Sequence, residues 1–384
     1  MFLSVYLDNA ATSFQKPDEV LEAVKDYMRH VGVSAGRGTY RKAQQAEEIL
    51  NAARTALAEL LGVDDASRII FTSCATESIN LALVGVLQRG DHVITSAMEH
   101  NAVWRTLKAL ERARVISIST VPHQEDGSML VDRIPKLLRK NTRLFVTTHA
   151  SNVSGTIMPI SPLSRIAKRH GALLLVDAAQ TAGSVVVDVK KMGIDMLAFT
   201  GHKGLMGPQG TGGLYIDRDI YLRPHRYGGS GLESALDHQP DSLPHRHEAG
   251  TVNGPGIAGL RDAVEFITGK GVENINQKET ELLAYALDKF PRHEALHVYG
   301  PADPERRVGI VTFNIEGIRP EETAYFLDEM FEVMVRAGLH CSPQAHRVIG
   351  TYPEGAVRMS IGYFNTQQDI DALMDGIYML LEQI

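Results

Sequence analysis

ALLLVDAAQ (Ala172–Gln180) sets five apolar residues in a row and then turns abruptly polar at Asp177. A strand with one wet face alternates, whereas a strand covered on both faces is apolar throughout, the mark of a parallel sheet between helical layers. The same texture recurs outward from it: RLFVTT (Arg143–Thr148) upstream and MLAF (Met196–Phe199) downstream, then RIIF (Arg68–Phe71), HVIT (His92–Thr95), VISIS (Val115–Ser119) and GGLYI (Gly212–Ile216). Amphipathic stretches at Ser78–Leu87, Ala102–Glu111, Val131–Leu138 and Pro162–His170 lie between them. Strand and helix in alternation predict an α/β fold, a large domain built on a mostly parallel sheet.

Two helices precede this region. In one, from Pro17, the residues Val20, Val24, Tyr27, Met28 and Val31 share a face; the other runs from Ala43 to Leu61 and is closed by Gly62. Residues 221–255 are dense in Gly, Pro, His and Ser and predict an irregular excursion. Helical spacing returns at Ile257–Thr268 and Val272–Phe290. The strands VGIVTFNI (Val308–Ile315), VMV (Val333–Val335) and VRMSI (Val357–Ile361) then alternate with helices at Pro320–Phe331 and Thr366–Gln383. The division expected is a large α/β domain over 17–255, and a smaller α+β domain made of 1–16 and 256–384, with MFLSVYL read as a strand.

The 384 residues carry 39 Lys+Arg against 46 Asp+Glu, a net charge of −7, which argues against a surface made for nucleic acid or an anionic membrane. No run approaches the roughly 20 apolar residues of a membrane helix. Two cysteines, Cys74 and Cys341, make no disulfide framework, and a reducing, cytoplasmic setting is expected.

In an open parallel sheet, ligands bind beyond the carboxyl ends of the strands. Those ends carry Cys74, Ala75 and Thr76; Glu99 and His100; His149, Ser151 and Asn152; Asp177 and Gln180; Thr200, His202 and Lys203. A lysine in a cleft can condense with an aldehyde, and a carboxylate can keep a pyridine nitrogen protonated, so Lys203 and Asp177 suit pyridoxal phosphate. Thr76 opens a helix whose free N–H groups favour a phosphate. Singly, Lys203 could be a solvated surface charge and Asp177 a helix cap; their joint placement carries the argument. His149 and His202 could be satisfied loop histidines.

GPQGTGG (Gly207–Gly213) precedes a strand instead of opening a helix after one, so it is no dinucleotide fingerprint. His245, His247 and Glu248 are poorly spaced for one ion, and no metal site is expected. Cys341 lies in a loop between Gly338 and Pro343, where Arg336, His340 and His346 could supply positive charge to lower its pKa; the alternative is a packed or merely exposed thiol.

Eight segments in order, LDNAAT (Leu7–Thr12), ATESIN (Ala75–Asn80), MEHNA (Met98–Ala102), SNVSGT (Ser151–Thr156), VDAAQ (Val176–Gln180), TGHKGLMGPQGTG (Thr200–Gly212), EAGTVN (Glu248–Asn253) and RAGLHC (Arg336–Cys341), resemble the class V, fold-type I pyridoxal-phosphate enzymes, particularly SUF-type cysteine desulfurases and selenocysteine lyases. The resemblance implies that Lys203 links to the cofactor aldehyde, Asp177 pairs with the ring nitrogen, His100 stacks on the ring and Gln180 meets its phenolic oxygen. It implies phosphate contacts from Thr76, Thr200, His202 and the Ala75 backbone, with Thr251 reaching the phosphate of a neighbouring subunit in a homodimer. Asn152, Arg336 and Arg358 would hold an amino-acid substrate. Cys341 would take sulfur from L-cysteine as a persulfide, leaving alanine, for an acceptor protein in iron–sulfur cluster biogenesis. An aminotransferase or a selenocysteine or cysteine-sulfinate lyase is the alternative, and a scaffold homologue the third. Three positions depart from the SUF-type pattern: Gly36-Arg37-Gly38 replaces His-Arg-Gly, Leu339-His340 replaces paired histidines, and Ala75 replaces a threonine.

Overall fold

The computed structural model describes residues 4–231 and 234–384. Seven strands form the principal sheet: β2 (Ile69–Thr72), β3 (Asp91–Ser96), β4 (Ile116–Val121), β5 (Thr142–Thr148), β6 (Leu173–Asp177), β7 (Met196–Thr200) and β8 (Gly212–Ile216). Their spatial order is β2-β8-β7-β6-β5-β3-β4. Pairings from β7 through β4 are parallel, and β8 runs antiparallel to both β7 and β2. Only β8 is reversed, so β2, β3, β5, β6 and β7 end on one edge, and the sequence expectation of converging loops is met.

The apolar runs are buried on both faces, as their texture requires. Leu174, Val176, Leu197 and Phe199 enter one apolar cluster, while Leu175, Met196 and Ala198 enter another across the sheet, the period-2 alternation of strand side chains. The helices α1 (Asp18–Asp26), α2 (Arg41–Leu61), α3 (Ala75–Val86), α4 (Asn101–Arg112), α5 (Ile160–His170), α6 (Val189–Met192) and α7 (Gly254–Lys270) cover the faces. Helix α1 runs into a wider π-helical turn, Tyr27–Val31, so the single helix expected from Pro17 is composite. Val131–Lys136 is a 3₁₀ turn instead of the expected amphipathic helix, because Pro135 lacks the N–H that a longer helix would need. No helix or strand occurs among the described residues of 221–253, in line with the irregular excursion expected there.

A four-stranded antiparallel sheet, β12-β13-β10-β9, is made by β9 (Leu296–Tyr299), β10 (Ile310–Ile315), β12 (Arg336–Gly338) and β13 (Ala356–Ser360). Helices α8 (Val272–Lys289), α9 (Pro320–Phe331) and α11 (Gln367–Leu381) pack with it around Phe313, Val357 and Met359, and the short α10 (Pro343–Val348) follows the Cys341 turn. VMV divides: β11 (Val333–Met334) pairs in parallel with β1 (Val5–Tyr6), and Arg336 begins β12. Met1–Leu3 of the expected first strand lie outside the described residues. Leu7 enters the smaller core with Phe313, whereas Ile257, Leu260 and Val264 of α7 enter the larger one. The apolar face of α7 thus belongs with α1 and α2, although a boundary at residue 255 assigns it to the smaller unit.

Candidate active site

The cavity beyond the common sheet edge has a volume of about 210 Å³. The principal sheet brings Thr76, His100, Asn152, Asp177, Thr200 and Lys203 to its wall, and the smaller sheet brings Arg336, Cys341 and Arg358. Ala75, Gln180 and His202 line it too. Thr251 is exposed and lines a different hollow with Tyr27 and Leu50, so the chain does not bring it to its own cavity.

Burial works on Lys203 and Asp177 in opposite directions. It pushes the Lys203 amine down to about 8, with Arg358 and Arg336 adding to the effect and Asp177 opposing it. It pushes the Asp177 carboxyl up, while the Ala179 N–H (3.0 Å) and Lys203 pull it back. Each charge therefore favours the other inside the cavity, and near neutrality the amine lies within reach of its unprotonated, nucleophilic form.

His100 caps α4 by accepting from Ala102 N at Nδ1 (3.1 Å). Burial and the charges of Lys203 and Arg336 hold its ring down at about 4, so it is neutral and its proton sits on Nε2. The His202 carbonyl accepts from Ser13 N (2.8 Å) and Thr12 Oγ1 (3.0 Å), while its buried Nδ1 has no partner. Gln180 Nε2 donates to the Ala10 carbonyl (3.1 Å). The LDNAAT segment and Ser13 thus tie down the residue before Lys203, and LDNAAT also holds the Gln180 side chain.

Arg358 is almost wholly buried. It donates from one terminal nitrogen to Asp8 Oδ1 (2.6 Å) and from the other to the Asn152 carbonyl (2.9 Å), and its Nε has no partner. Asp8 was not foreseen as a site residue. Its partner comes from 350 residues away, so no local pattern points to it.

Cys341 occupies a tight turn. Ser342 N donates to the Leu339 carbonyl (2.8 Å), and the two residues between, His340 (φ 47°) and Cys341 (φ 57°), are both left-handed. Each such non-glycine residue costs about 1–2 kcal/mol, so surrounding contacts must hold the turn. Asn152 Nδ2 donates to the His340 carbonyl (2.7 Å), Ser342 Oγ donates to Asn152 Oδ1 (2.7 Å), and Asn101 N donates to the Cys341 carbonyl (2.7 Å). The Asn152 amide thus braces the turn at both ends. The Cys341 residue is left exposed. The cationic surroundings expected from His340 and His346 are absent: burial, reinforced by Arg358, pushes both rings far below their ordinary value, so both are neutral. Arg336 is the charge that remains of the three.

His149 packs behind the site with Nδ1 2.9 Å from Thr181 Oγ1, and burial lowers its pKa from 6.5 to about 4. The unfolded chain takes up this proton near 6.5 and the folded chain only near 4. Stability from the neutral ring is therefore complete above 6.5 and falls as the pH drops toward 4, by up to about 1.4 kcal/mol per pH unit. Urea unfolding between pH 7 and 5 should show this slope, and His149→Gln should make it shallower by one proton.

Glu248, considered above with His245 and His247 for a metal, is occupied otherwise. It pairs at both oxygens with Arg54 (2.8 and 3.0 Å) and accepts from Phe71 N (2.6 Å). Both side chains are buried. Glu248→Ala would strand the guanidinium and should cost about 3–5 kcal/mol, visible as a lower urea midpoint. Among the described residues no group of three His, Cys, Asp or Glu side chains is arranged to hold a metal ion.

A half-buried lysine and a buried carboxylate lie together beyond a parallel sheet edge, with a thiol turn and an arginine delivered from a second sheet. Residues 5–373 match the class V aminotransferase family, and the chain belongs to it. It is 35% identical to the "Probable cysteine desulfurase" of Halalkalibacterium halodurans, over 97% of this chain and 92% of that one. It is 34% identical to the "Cysteine desulfurase" of Pectobacterium atrosepticum, over 97% and 92%. The apo cysteine desulfurase of Thermococcus onnurineus NA1 superposes with a TM-score of 0.94 at 32% identity, covering 99% of this chain and 95% of that one. The expected fold class, a fold-type I α/β architecture with a large mostly parallel sheet, is thereby confirmed.

Proposed function

We propose that the protein is a pyridoxal 5′-phosphate-dependent cysteine desulfurase that converts L-cysteine to L-alanine and retains the sulfur on Cys341. The observation that carries this reading is that Lys203, paired with buried Asp177, and the exposed Cys341 turn open on one cavity. The residues fit the cofactor: His202 Nδ1 is a buried polar atom still lacking a partner, and the first N–H groups of α3 have no acceptor within the helix. Thr76, Thr200, His202 and the Ala75 backbone would hold its phosphate, Gln180 its phenolic oxygen, and Asp177 its ring nitrogen, with His100 against its face.

When bound, the cofactor supplies an aldehyde for the substrate amine and an electron sink for the bond changes that follow. Lys203 Nζ, with its lowered pKa, takes and returns protons at the substrate carbon. Arg358, assisted by Arg336, holds the substrate carboxylate, and the unpartnered Nε gives Arg358 a free edge for it. The Asn152 amide already engages the Cys341 turn, so its part in substrate binding is through that turn. The Cys341 thiolate attacks the substrate sulfur: the S–S bond forms, the carbon–sulfur bond breaks, its electron pair passes to the substrate, and protonation of that carbon leaves alanine.

The surface position of Thr251 supports a homodimer in which it completes the partner's phosphate site. The exposure of Cys341 supports onward transfer to a sulfur-acceptor protein, as in iron–sulfur cluster assembly. We place the protein in the cytoplasm, a reducing setting that suits its two free cysteines. The core assignments of α7 and Leu7 support a cofactor-binding unit of about 17–270 and a smaller unit of the rest, N-terminal segment included. The test is product analysis after adding L-cysteine and a reductant to the cofactor-loaded protein. Equal yields of alanine and sulfide are expected. A 2-oxo acid would mean an aminotransferase, and no turnover of any amino acid a scaffold.

A further inference from the structure

Four residues around the Cys341 turn form a hydrogen-bond chain with one possible direction. His340 Nε2 lies 3.2 Å from the Arg336 carbonyl, which can only accept, so this nitrogen carries the proton. In the neutral ring Nδ1 is then a lone pair, and His346 Nε2, 3.2 Å away, must donate to it. That leaves His346 Nδ1 as an acceptor, and Thr351 Oγ1, 2.7 Å away, as its donor. The two rings stack with centroids 5.3 Å apart and planes 23° from parallel. His340, His346 and Thr351 are all buried. The Arg336 carbonyl thereby fixes the tautomer of His340, His340 fixes that of His346, and the Thr351 hydroxyl, which can turn either way, closes the chain as donor.

The chain ends on a turn that cannot hold its shape unaided. His340 and Cys341 are left-handed without being glycine, in a turn of the kind that glycine and asparagine usually make. Asn152 and Asn101 fix its backbone carbonyls. The His340 side chain is held on both ring nitrogens, by His346 and by Arg336 O. His346 reaches the turn from α10, beyond Pro343, so the ring contact also joins the turn to the helix that follows it.

We propose that His346 is a positioning residue for Cys341: held at its other ring nitrogen by Thr351, it locks His340 and so holds the turn that presents the thiol to the Lys203 cavity. The role in turnover rests on the desulfurase reading; the role in holding the turn does not, and the two are separable by experiment.

The test uses the cofactor-loaded, full-length protein and the variants His346→Phe, which keeps a ring but no N–H, His346→Gln, which restores a donor, and Thr351→Val, which removes only the hydroxyl. Hydrogen exchange at the Ser342 amide and iodoacetamide labelling of Cys341 are followed by peptide mass spectrometry, with Cys74 as the reference thiol. In His346→Phe the exchange should quicken by about tenfold and the labelling by about threefold or more. The kcat for L-cysteine should fall about tenfold with KM within about twofold and the Lys203 adduct absorbance unchanged. His346→Gln should recover most of the loss, and Thr351→Val should move every readout the same way by a smaller factor. If His346→Phe does not fold, Thr351→Val decides. Exchange and labelling equal to wild type in the variants that fold would overturn the proposal, as would a loosened turn with undiminished kcat. If instead Cys341→Ala retains full sulfur transfer, it is the desulfurase reading that fails, whatever the exchange data show.

Discussion

Cys341→Ala is expected to leave the protein folded and able to bind its cofactor at Lys203, yet to lower sulfur transfer from L-cysteine by roughly three orders of magnitude or more. The separation of effects follows from where the residue sits. Cys341 is exposed, and the turn contacts run through its backbone carbonyl and its neighbours, not through its sulfur. Alanine at a left-handed position adds no Cβ that cysteine lacked, so the turn keeps its shape. Lys203, Asp177 and His100 come from the other sheet and are untouched. The measurement is single-turnover persulfide formation, by mass spectrometry, beside the absorbance of the Lys203 adduct. Undiminished transfer would remove Cys341 from its assigned role.

Asp177→Asn is expected to lower kcat by roughly two to four orders of magnitude, about 3–5 kcal/mol at the barrier. The side chains differ by one charge and almost no volume, and Asn can still accept from Ala179 N, so the fold should survive. What disappears is the negative charge opposing the burial of Lys203 and, on the proposed function, the partner of the cofactor's ring nitrogen. The Lys203 amine should shift further below about 8, because Asp177 is the strongest influence holding it up. The pH dependence of the rate at which the cofactor-free protein takes up pyridoxal phosphate at Lys203 should show this. A variant with wild-type turnover would mean that another group carries the charge.

Much of this was legible without coordinates. The continuous apolar run ahead of Asp177 and its equivalents ahead of Thr148 and Thr200 report burial on both faces, a local signature independent of partners. The polar residues directly after those runs, His100, Asn152, Asp177 and Lys203, could be placed on one edge because parallel strands end together. Length and period also sufficed for most helices. They failed at Val131–Lys136, where a single proline limits the segment to a 3₁₀ turn.

Other features had no local signal. Nothing around His340 and His346 says that they are buried and neutral; in sequence they read as positive charge beside a cysteine, and only packing beneath Arg358 removes that charge. Nor does the spacing of Glu248 point to Arg54, which lies in α2. Asp8 meets Arg358 across 350 residues because β1 and the residues after it lie along the smaller sheet.

The chain's own pattern of apolar runs and the residues that end them determined the α/β architecture, the shared sheet edge and the candidate lysine and aspartate, since burial periodicity is a local property of a polypeptide. Tertiary structure alone decided which of those groups are charged, which are held by neighbours and which way their protons point. Protonation depends on desolvation and on partners brought from distant segments, and neither is written in the residues beside them.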